Sequence, residues 1–359
     1  MPAQPIRIGF IGLNPDAHWA AAAHLPALRV LANQFEIVGV SNSSAQSAQR
    51  TKDALGLKHA FASADELVAS PEVDLVVVTV KVPHHLELVR KAIAAGKHVH
   101  CEWPLGNGLA EAEELAALAG EKRVVATVGT QARSAPEILY LRKLIADGYV
   151  GDVLSTSVIA SGGNWGDRTT EDLRYLYDRV NGATMLTIPM GHFLAAMRDV
   201  LGDVAEIDAR LDIRRPEVTV EPTGERFTRS AADQIMAFGT LKRGGSLSLH
   251  YRGGMTPGTN FLWTIEGSAG VIEVTGANGH TQMVQLSLRG ATGDDGALQD
   301  ITVPPDYGAG LPDAQPARNV AAVYARIAED IRTGSRTAPS FDDAVALHRV
   351  IGRIGQAAG

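Results

Sequence analysis

Cysteine is almost missing from this chain: Cys101 is the only one in 359 residues. A lone thiol excludes an intrachain disulfide and any metal centre built on thiolates, and it fits a reducing compartment. No apolar run approaches the roughly 20 residues that span a bilayer. The start, Met1-Pro2-Ala3-Gln4-Pro5-Ile6-Arg7, lacks the apolar core of a signal peptide. Positive charge is not in excess either. The formal net charge is −7, which argues against non-specific binding to nucleic acid or to an anionic membrane. There is no internal repeat and no low-complexity tail. What remains is 45% hydrophobic and 20% charged, the make-up of an ordinary soluble globular protein, expected in the cytoplasm. The length suits two domains better than one core.

Strand and helix signals alternate over the first ~130 residues, the pattern of a parallel sheet with crossover helices. Strands are expected at 6–11, 36–41, 74–80, 99–102 and 124–129. The run at 74–80 is β-branched almost throughout, as a strand buried on both faces requires. Helices are expected from the break at Gly12 through Leu31, at 43–55, at 63–69 and at 86–95, the last stopped by Gly96. A second pattern begins near Arg133 with a helix over 136–147. Strands then dominate, at 152–160, 204–213, 230–241, 245–250, 262–266 and 270–274, around one helix at 192–201. A Pro/Gly-rich connector at 304–316 leads to closing helices at 318–333 and 341–357. The expected fold class is an α/β Rossmann domain, a doubly wound parallel sheet, over 1–132. An α+β domain with a mostly antiparallel, open-faced sheet follows over 133–315. The helices of 316–359 are expected to pack back between the two.

A strand, a glycine turn and a helix put a pyrophosphate at a helix N-terminus. Of the expected glycine fingerprint only Gly12 survives, in Gly12-Leu13-Asn14-Pro15-Asp16-Ala17. Gly12, Leu13 and Asn14 are candidate cofactor contacts; the bland reading is an ordinary turn with Asn14 or Asp16 capping the helix. The end of the second strand selects between cofactors, because an acid there binds the ribose diol of NAD and repels the phosphate of NADP. Here the residues are Ser41-Asn42-Ser43-Ser44, without an acid and without an adjacent arginine. The preferred cofactor is therefore NADP, with NAD the alternative and Ser41, Asn42 and Ser43 as contacts. Capping of the next helix is the competing role for these side chains.

Taken in order, Gly12, the strand through Thr79, His85, Gly96-Lys97-His98-Val99 and Glu102-Trp103-Pro104 resemble the glucose-fructose oxidoreductase / inositol dehydrogenase / MocA family. The resemblance runs over almost the whole chain, through Gly148-Tyr149-Val150-Gly151-Asp152 to Asp342-Asp343-Ala344. Trp19, Glu102-Trp103, Gly162-Gly163-Asn164-Trp165-Gly166, Asn181-Gly182 and Gly191-His192 are similar to the branch that contains the fungal galactose regulatory protein. That relative has an enzyme's fold but acts as a nucleotide-responsive partner of transcription.

The resemblance implies a kit for hydride transfer: a Lys after the Glu, then an Asp and a His in the second domain. Trp103 stands where the Lys is expected and Ile188 where the Asp is, so His192 is left as the proton-transfer group. Lys81 at the end of the Thr79-Val80 strand would replace the missing base or bind a phosphate, unless it is a plain surface lysine. Tyr177 would donate a proton if His192 orients it. By resemblance Glu102 meets the nicotinamide ribose or carboxamide, and Thr79, Val80 and His85 line the cofactor cleft; His85 could instead only start a helix. Trp103 would stack on sugar or nicotinamide, or simply pack. Gln131 and Arg133 would face the nicotinamide or an anionic substrate, with an interdomain salt bridge the alternative for Arg133. Trp165, Tyr175 and Asn181 suit carbohydrate recognition, though each is as often core. No metal is expected.

The implied function is NAD(P)-dependent oxidation or reduction of a sugar, polyol or related hydroxy compound. The alternative is a nucleotide-binding regulator with little turnover, acting through a protein partner. The open sheet face implies a homodimer or higher homo-oligomer.

Overall fold

Aliphatic runs place the first sheet. Ile6–Ile11 (β1) and Leu75–Val78 (β4) are buried nearly end to end, so they must lie in the middle of a sheet covered on both faces. The computed structural model, which describes residues 4–16, 19–293 and 295–357, puts them side by side. With Phe35–Ser41 (β2), His59–Ala60 (β3), His98–Glu102 (β5) and Ala126–Gly129 (β6) they form a six-stranded sheet in the order β3-β2-β1-β4-β5-β6. All its pairings are parallel. The order reverses direction between β1 and β4, which marks the switch point of a doubly wound sheet.

Residues 17 and 18, where the sequence predicts helix, lie outside the described residues. Next comes a wide turn over Ala20–His24, in which the Leu25 N–H bonds the Ala20 carbonyl five residues back, and then Leu25–Val30 (α1). Pro26 has no N–H to give, and its ring would crowd the carbonyl four residues earlier; the widened turn relieves both problems. Ala45–Leu55 (α2) and Ala64–Ala69 (α3) are capped by Ser44 and Ser63, whose hydroxyls accept from the N–H groups of Ser47 and Glu66. His85–Ala94 (α4) and Leu109–Lys122 (α5) complete the crossovers. The alanine- and glutamate-rich α5 and the two-residue β3 are additions to the sequence reading.

Two compact units divide the chain. One comprises residues up to Gln131 with Gly310–His348, the other Ala132–Ala309 with residues from Arg349 on. In the first, Ala317–Thr333 (α8) drives Val320, Tyr324 and Ile327 into the core of Ile8, Phe10, Leu28 and Val77.

The second unit carries Pro136–Ala146 (α6), Val153–Ser161 (β7), Arg168–Thr170 (β8), Pro189–Leu201 (α7), Val204–Asp212 (β9), Glu217–Glu221 (β10), Arg226–Thr228 (β11), Gln234–Leu241 (β12) and Ser246–Arg252 (β13). Phe261–Gly267 (β14), Gly270–Gly276 (β15), Leu286–Thr292 (β16) and Gln299–Ile301 (β17) follow. Eight of these strands make one sheet, β17-β16-β15-β14-β7-β13-β12-β9, antiparallel except between β7 and β13. The strands β11-β10-β8 make a small separate sheet. Period-two alternation decides the faces. Val158, Leu249 and Trp263 point inward, where Phe193 of α7 sits edge-on to Trp263 at 5.1 Å. On the other face Ile159 and Phe238 stay 44% and 61% exposed. Phe341–Ala357 (α9) closes the chain. Among the described residues no helix is long and apolar enough to cross a membrane, and no group of His, Cys, Asp and Glu could hold a metal ion.

Candidate functional site

At the carboxyl end of β1 the chain must turn sharply beside β4. Gly12 does so at φ +98°, and a Cβ there would come 2.6 Å from Val80 Cγ1 and 3.2 Å from the Val80 nitrogen. Only glycine fits both the conformation and the space. The turn is held on two sides. Gly12 N–H donates to the Ser41 carbonyl at 3.0 Å, and the Thr79 hydroxyl donates to the Gly12 carbonyl at 3.0 Å. Asn42 donates through Nδ2 to the Leu13 carbonyl at 2.9 Å and to Thr51 Oγ1 at 3.1 Å. Its amide N–H groups therefore brace the loop, a role other than the phosphate contact expected from sequence. Ser41 is buried, Ser44 caps α2, and Ser43 presents an exposed hydroxyl at the end of β2. The Asn14 side chain accepts from the Asp16 N–H at 3.0 Å, which closes a local turn.

The carboxyl ends of β5 and β6 hold a buried polar cluster. Gln131 Nε2 donates to both oxygens of Glu102, at 3.1 and 3.0 Å. His24 Nε2 meets Glu102 Oε1 at 3.1 Å, and its Nδ1 meets the Tyr324 hydroxyl at 2.7 Å. His100 Nε2 lies 3.6 Å from the same Oε1, and its Nδ1 is 3.0 Å from the Thr127 hydroxyl. Burial would raise the Glu102 carboxyl, but the adjacent His100 and His24 imidazoles outweigh it and hold it well below the usual carboxylate range. Burial lowers His100 in turn. Gly129 must be glycine, since a Cβ would sit 2.6 Å from Glu102 Oε1. The wide turn at Ala20–His24 directs His24 into this cluster, so the helix after the Gly12 loop is tied to β5 and α8.

Trp103 is only 5% exposed, and its ring packs on the His348 imidazole with centroids 4.7 Å apart. His85 is also committed: its ring nitrogens face the carbonyls of Pro104 at 2.7 Å and Val80 at 2.9 Å. It pins the turn after β4 to the Trp103-Pro104 loop and begins α4. Burial holds it neutral, against the pull of both carbonyls. Lys81 is exposed and precedes a single helical turn over Val82–His84.

In the second unit several expected ligand contacts are used for packing. Trp165 is fully buried, donates Nε1–H to the Leu176 carbonyl at 2.9 Å and stacks on His280. Tyr177 is buried beneath the Arg229 guanidinium, and its hydroxyl donates to the Arg168 carbonyl at 3.0 Å. Arg133 makes a bidentate pair with Asp199 of α7, at 2.7 and 2.8 Å. Both partners belong to this unit, so the ion pair is structural without being interdomain. Asn181 donates to the carbonyl of the half-buried Tyr175 at 2.8 Å. His192 lies buried in the first turn of α7, just beyond Ile188 at the helix start.

A cavity of about 240 Å³ opens near Arg123, Thr127 and Phe341. It lies at the amino edge of β6, whereas ligands of doubly wound sheets lie outside the carboxyl ends, so it is not the nucleotide site. The carboxyl edge fits a nicotinamide nucleotide on two observations. The Gly12 turn stands at the switch point between β1 and β4, where a doubly wound sheet receives a pyrophosphate. Beyond β6, Gln131 Oε1 and Thr130 Oγ1 are buried polar atoms with no hydrogen-bond partner, a state that costs stability until a ligand satisfies it.

Residues 6–130 match the family described as "Oxidoreductase family, NAD-binding Rossmann fold", and residues 136–276 match "Gal80p, C-terminal domain". The dehydrogenase aclE of Aspergillus oryzae is 34% identical over 283 residues, which are 76% of this chain and 77% of its own. The galactose/lactose metabolism regulatory protein GAL80 of Kluyveromyces lactis is 29% identical over 307 residues, 80% of this chain and 67% of its own. The solved structure of a levoglucosan dehydrogenase in complex with NADH and levoglucosan shares the fold, with a TM-score of 0.86 at 19% identity over 99% of this chain and 97% of that one. With this sheet order and a match along most of its length, the chain belongs to the Gfo/Idh/MocA family of oxidoreductases, with an NAD-binding Rossmann fold followed by a Gal80p-like domain.

Proposed function

We propose that the chain is a nicotinamide-nucleotide-dependent oxidoreductase acting on the CH–OH group of a sugar, polyol or related hydroxy compound. The cradle at Gly12, walled by Val80 and held by Ser41 and Thr79, carries this reading. At φ +98° beside Val80 only glycine makes this turn, and it does so at the switch point where doubly wound sheets receive the pyrophosphate. The similarity to a dehydrogenase over 76% of the chain supports it. The bound nucleotide would supply the hydride acceptor or donor. The Gly12–Asn14 loop holds the pyrophosphate, Gln131 Oε1 accepts from the carboxamide, and His192 exchanges the hydroxyl proton, with Lys81 as its assistant. Tyr177 drops out of the proton transfer because its hydroxyl is spent on Arg168.

The preferred nucleotide is NADP, because the end of β2 offers the exposed Ser43 hydroxyl and no carboxylate. Ser43→Asp should weaken NADP binding by roughly tenfold and leave NAD binding equal or better. Isothermal titration of both nucleotides checks this; parallel changes for the two would count against it. The exposed sheet face with Ile159 and Phe238 would pair two copies of the chain, and the protein would work in the cytoplasm.

One observation favours a second reading. Trp103, packed on His348, cannot move a proton, and GAL80, a regulatory protein, is similar over 80% of the chain. In that case the nucleotide is bound and read by a protein partner. The two readings separate on a panel of sugars and polyols with saturating NADP or NAD. Nicotinamide reduction by any member, lost in His192→Ala, upholds the oxidoreductase. Nucleotide binding without turnover across the panel upholds the regulator.

A further inference from the structure

We propose that Glu102 makes this chain a selective holder of the oxidised nicotinamide nucleotide, binding it more tightly than the reduced form. This rests on the nucleotide-binding reading above. The two halves of a dinucleotide lie on either side of the switch point, the adenosine half toward the strands that begin the sheet and the nicotinamide half toward those that end it. Here the switch falls between β1 and β4, so the nicotinamide half belongs to the carboxyl ends of β4, β5 and β6. Glu102 is the last residue of β5, and the unpartnered acceptors Gln131 Oε1 and Thr130 Oγ1 follow β6. An ionised carboxylate thus stands at the edge that receives the one part of the ligand whose charge changes. The oxidised ring is a cation and the reduced ring is neutral.

The charge is well placed to be felt. The Glu102 side chain is 12% exposed, so water and salt screen it weakly. It is fixed in position, because Gln131 donates to both oxygens and His24 to one. Gln131 brings N–H groups but no charge, burial disfavours a proton on His100, and the imidazole in direct contact is His24, whose other nitrogen meets the Tyr324 hydroxyl. The other ionisable neighbours are the buried Tyr324, Cys101 and His85, of which burial keeps the first two protonated and the third neutral. The carboxylate could have been a protonated acid or a neutral amide if it only bridged β5 to β6. The chain instead invests two histidines and a glutamine in keeping it ionised at the ligand edge, where an anion favours a cationic ring over a neutral one.

The test titrates the purified full-length chain with NAD+, NADH, NADP+ and NADPH, following tryptophan fluorescence and heat. The dissociation constant of the oxidised form should be roughly tenfold below that of the reduced form, for whichever pair binds. Glu102→Gln should bring the two within about twofold, chiefly by weakening the oxidised form, whereas Glu102→Asp, which keeps the charge, should retain the preference. Thermal melting of both variants reports whether the cluster still folds. If Glu102→Gln does not fold, the wild-type ratio and Glu102→Asp still decide. Equal affinities in the wild type, or a tighter reduced form, overturn this inference and leave nucleotide binding standing. Failure to bind any of the four overturns both.

Discussion

Gly12→Val should cut nucleotide affinity by at least about 100-fold and lower the stability of the first unit by about 2–4 kcal/mol. Two independent costs act at this position. A φ of +98° lies where a branched side chain is strained, and the added Cβ meets Val80 Cγ1 at 2.6 Å and the Val80 backbone nitrogen at 3.2 Å. The first atom can move, but the second lies just beyond β4 and cannot yield without shifting Thr79, whose hydroxyl and N–H hold the Gly12 turn. The loop would swing outward into the space the pyrophosphate is proposed to occupy. Gly56→Ala provides the control. Gly56 ends α2 at φ +65°, with nothing within 4 Å of its Cβ, so it should cost about 1 kcal/mol and leave affinity unchanged. Nucleotide titration and urea unfolding of both variants measure the contrast. An unchanged dissociation constant in a folded Gly12→Val would show that this turn does not approach the ligand.

The elements that position this turn are legible in the sequence because their signals are local. The aliphatic runs of β1 and β4, the glycine between β1 and its helix, and the serines before α2 and α3 each carry their own physical cause. What stays hidden is which polar groups meet across the chain. His24 and Tyr324 pair across 300 residues, and Trp103 finds its partner in His348 near the other end of the chain. No spacing rule reaches that far. Asn42 and Arg133 show the same limit from the opposite side. Each has the chemistry of a ligand contact, yet each is used by a protein neighbour, Leu13 or Asp199, that only tertiary packing brings within reach. Trp165 and Tyr177 illustrate how aromatics that would suit a sugar are taken up by a core built around the buried Arg229. The short strands β8, β11 and β17 escaped because three residues do not complete an alternation that could be told from a loop.

Acidification from pH 6.5 to pH 4 should lower the unfolding free energy of each unit, about 3 kcal/mol of it through His348 in the first unit and about as much through His280 in the second. In the first unit, burial pushes His348 down to about 4; in the second, burial pushes His280 down to about 4, against the pull of the Gly162 carbonyl. The unfolded chain takes up a proton on each near the ordinary value of about 6.5. Between those limits the unfolded state binds more protons than the folded one, so stability rises with pH through the window. It is fully present above pH 6.5 and lost as pH falls toward 4. The carboxylates that are held low, Glu102 and Asp330 among them, add their losses only as pH drops past their ordinary range near 4. The histidine window therefore opens first and can be read alone between pH 6.5 and 5. Replacing His348 or His280 with Gln removes the titration whatever it does to absolute stability, so the slope of unfolding free energy against pH is the readout. Each variant should reduce the slope of its own unit by its own histidine's share, and in the first unit His85 and His100, which burial also lowers, keep the remainder. A double variant as pH-sensitive as the wild type would assign the acid loss to other groups. In the first unit the same protonation has a local signal, since a charged imidazole 4.7 Å from Trp103 should quench an indole that the neutral ring leaves bright. Loss of that quenching in Trp103→Phe ties the titration to His348, and with it the stability of the first unit to the packing of Trp103.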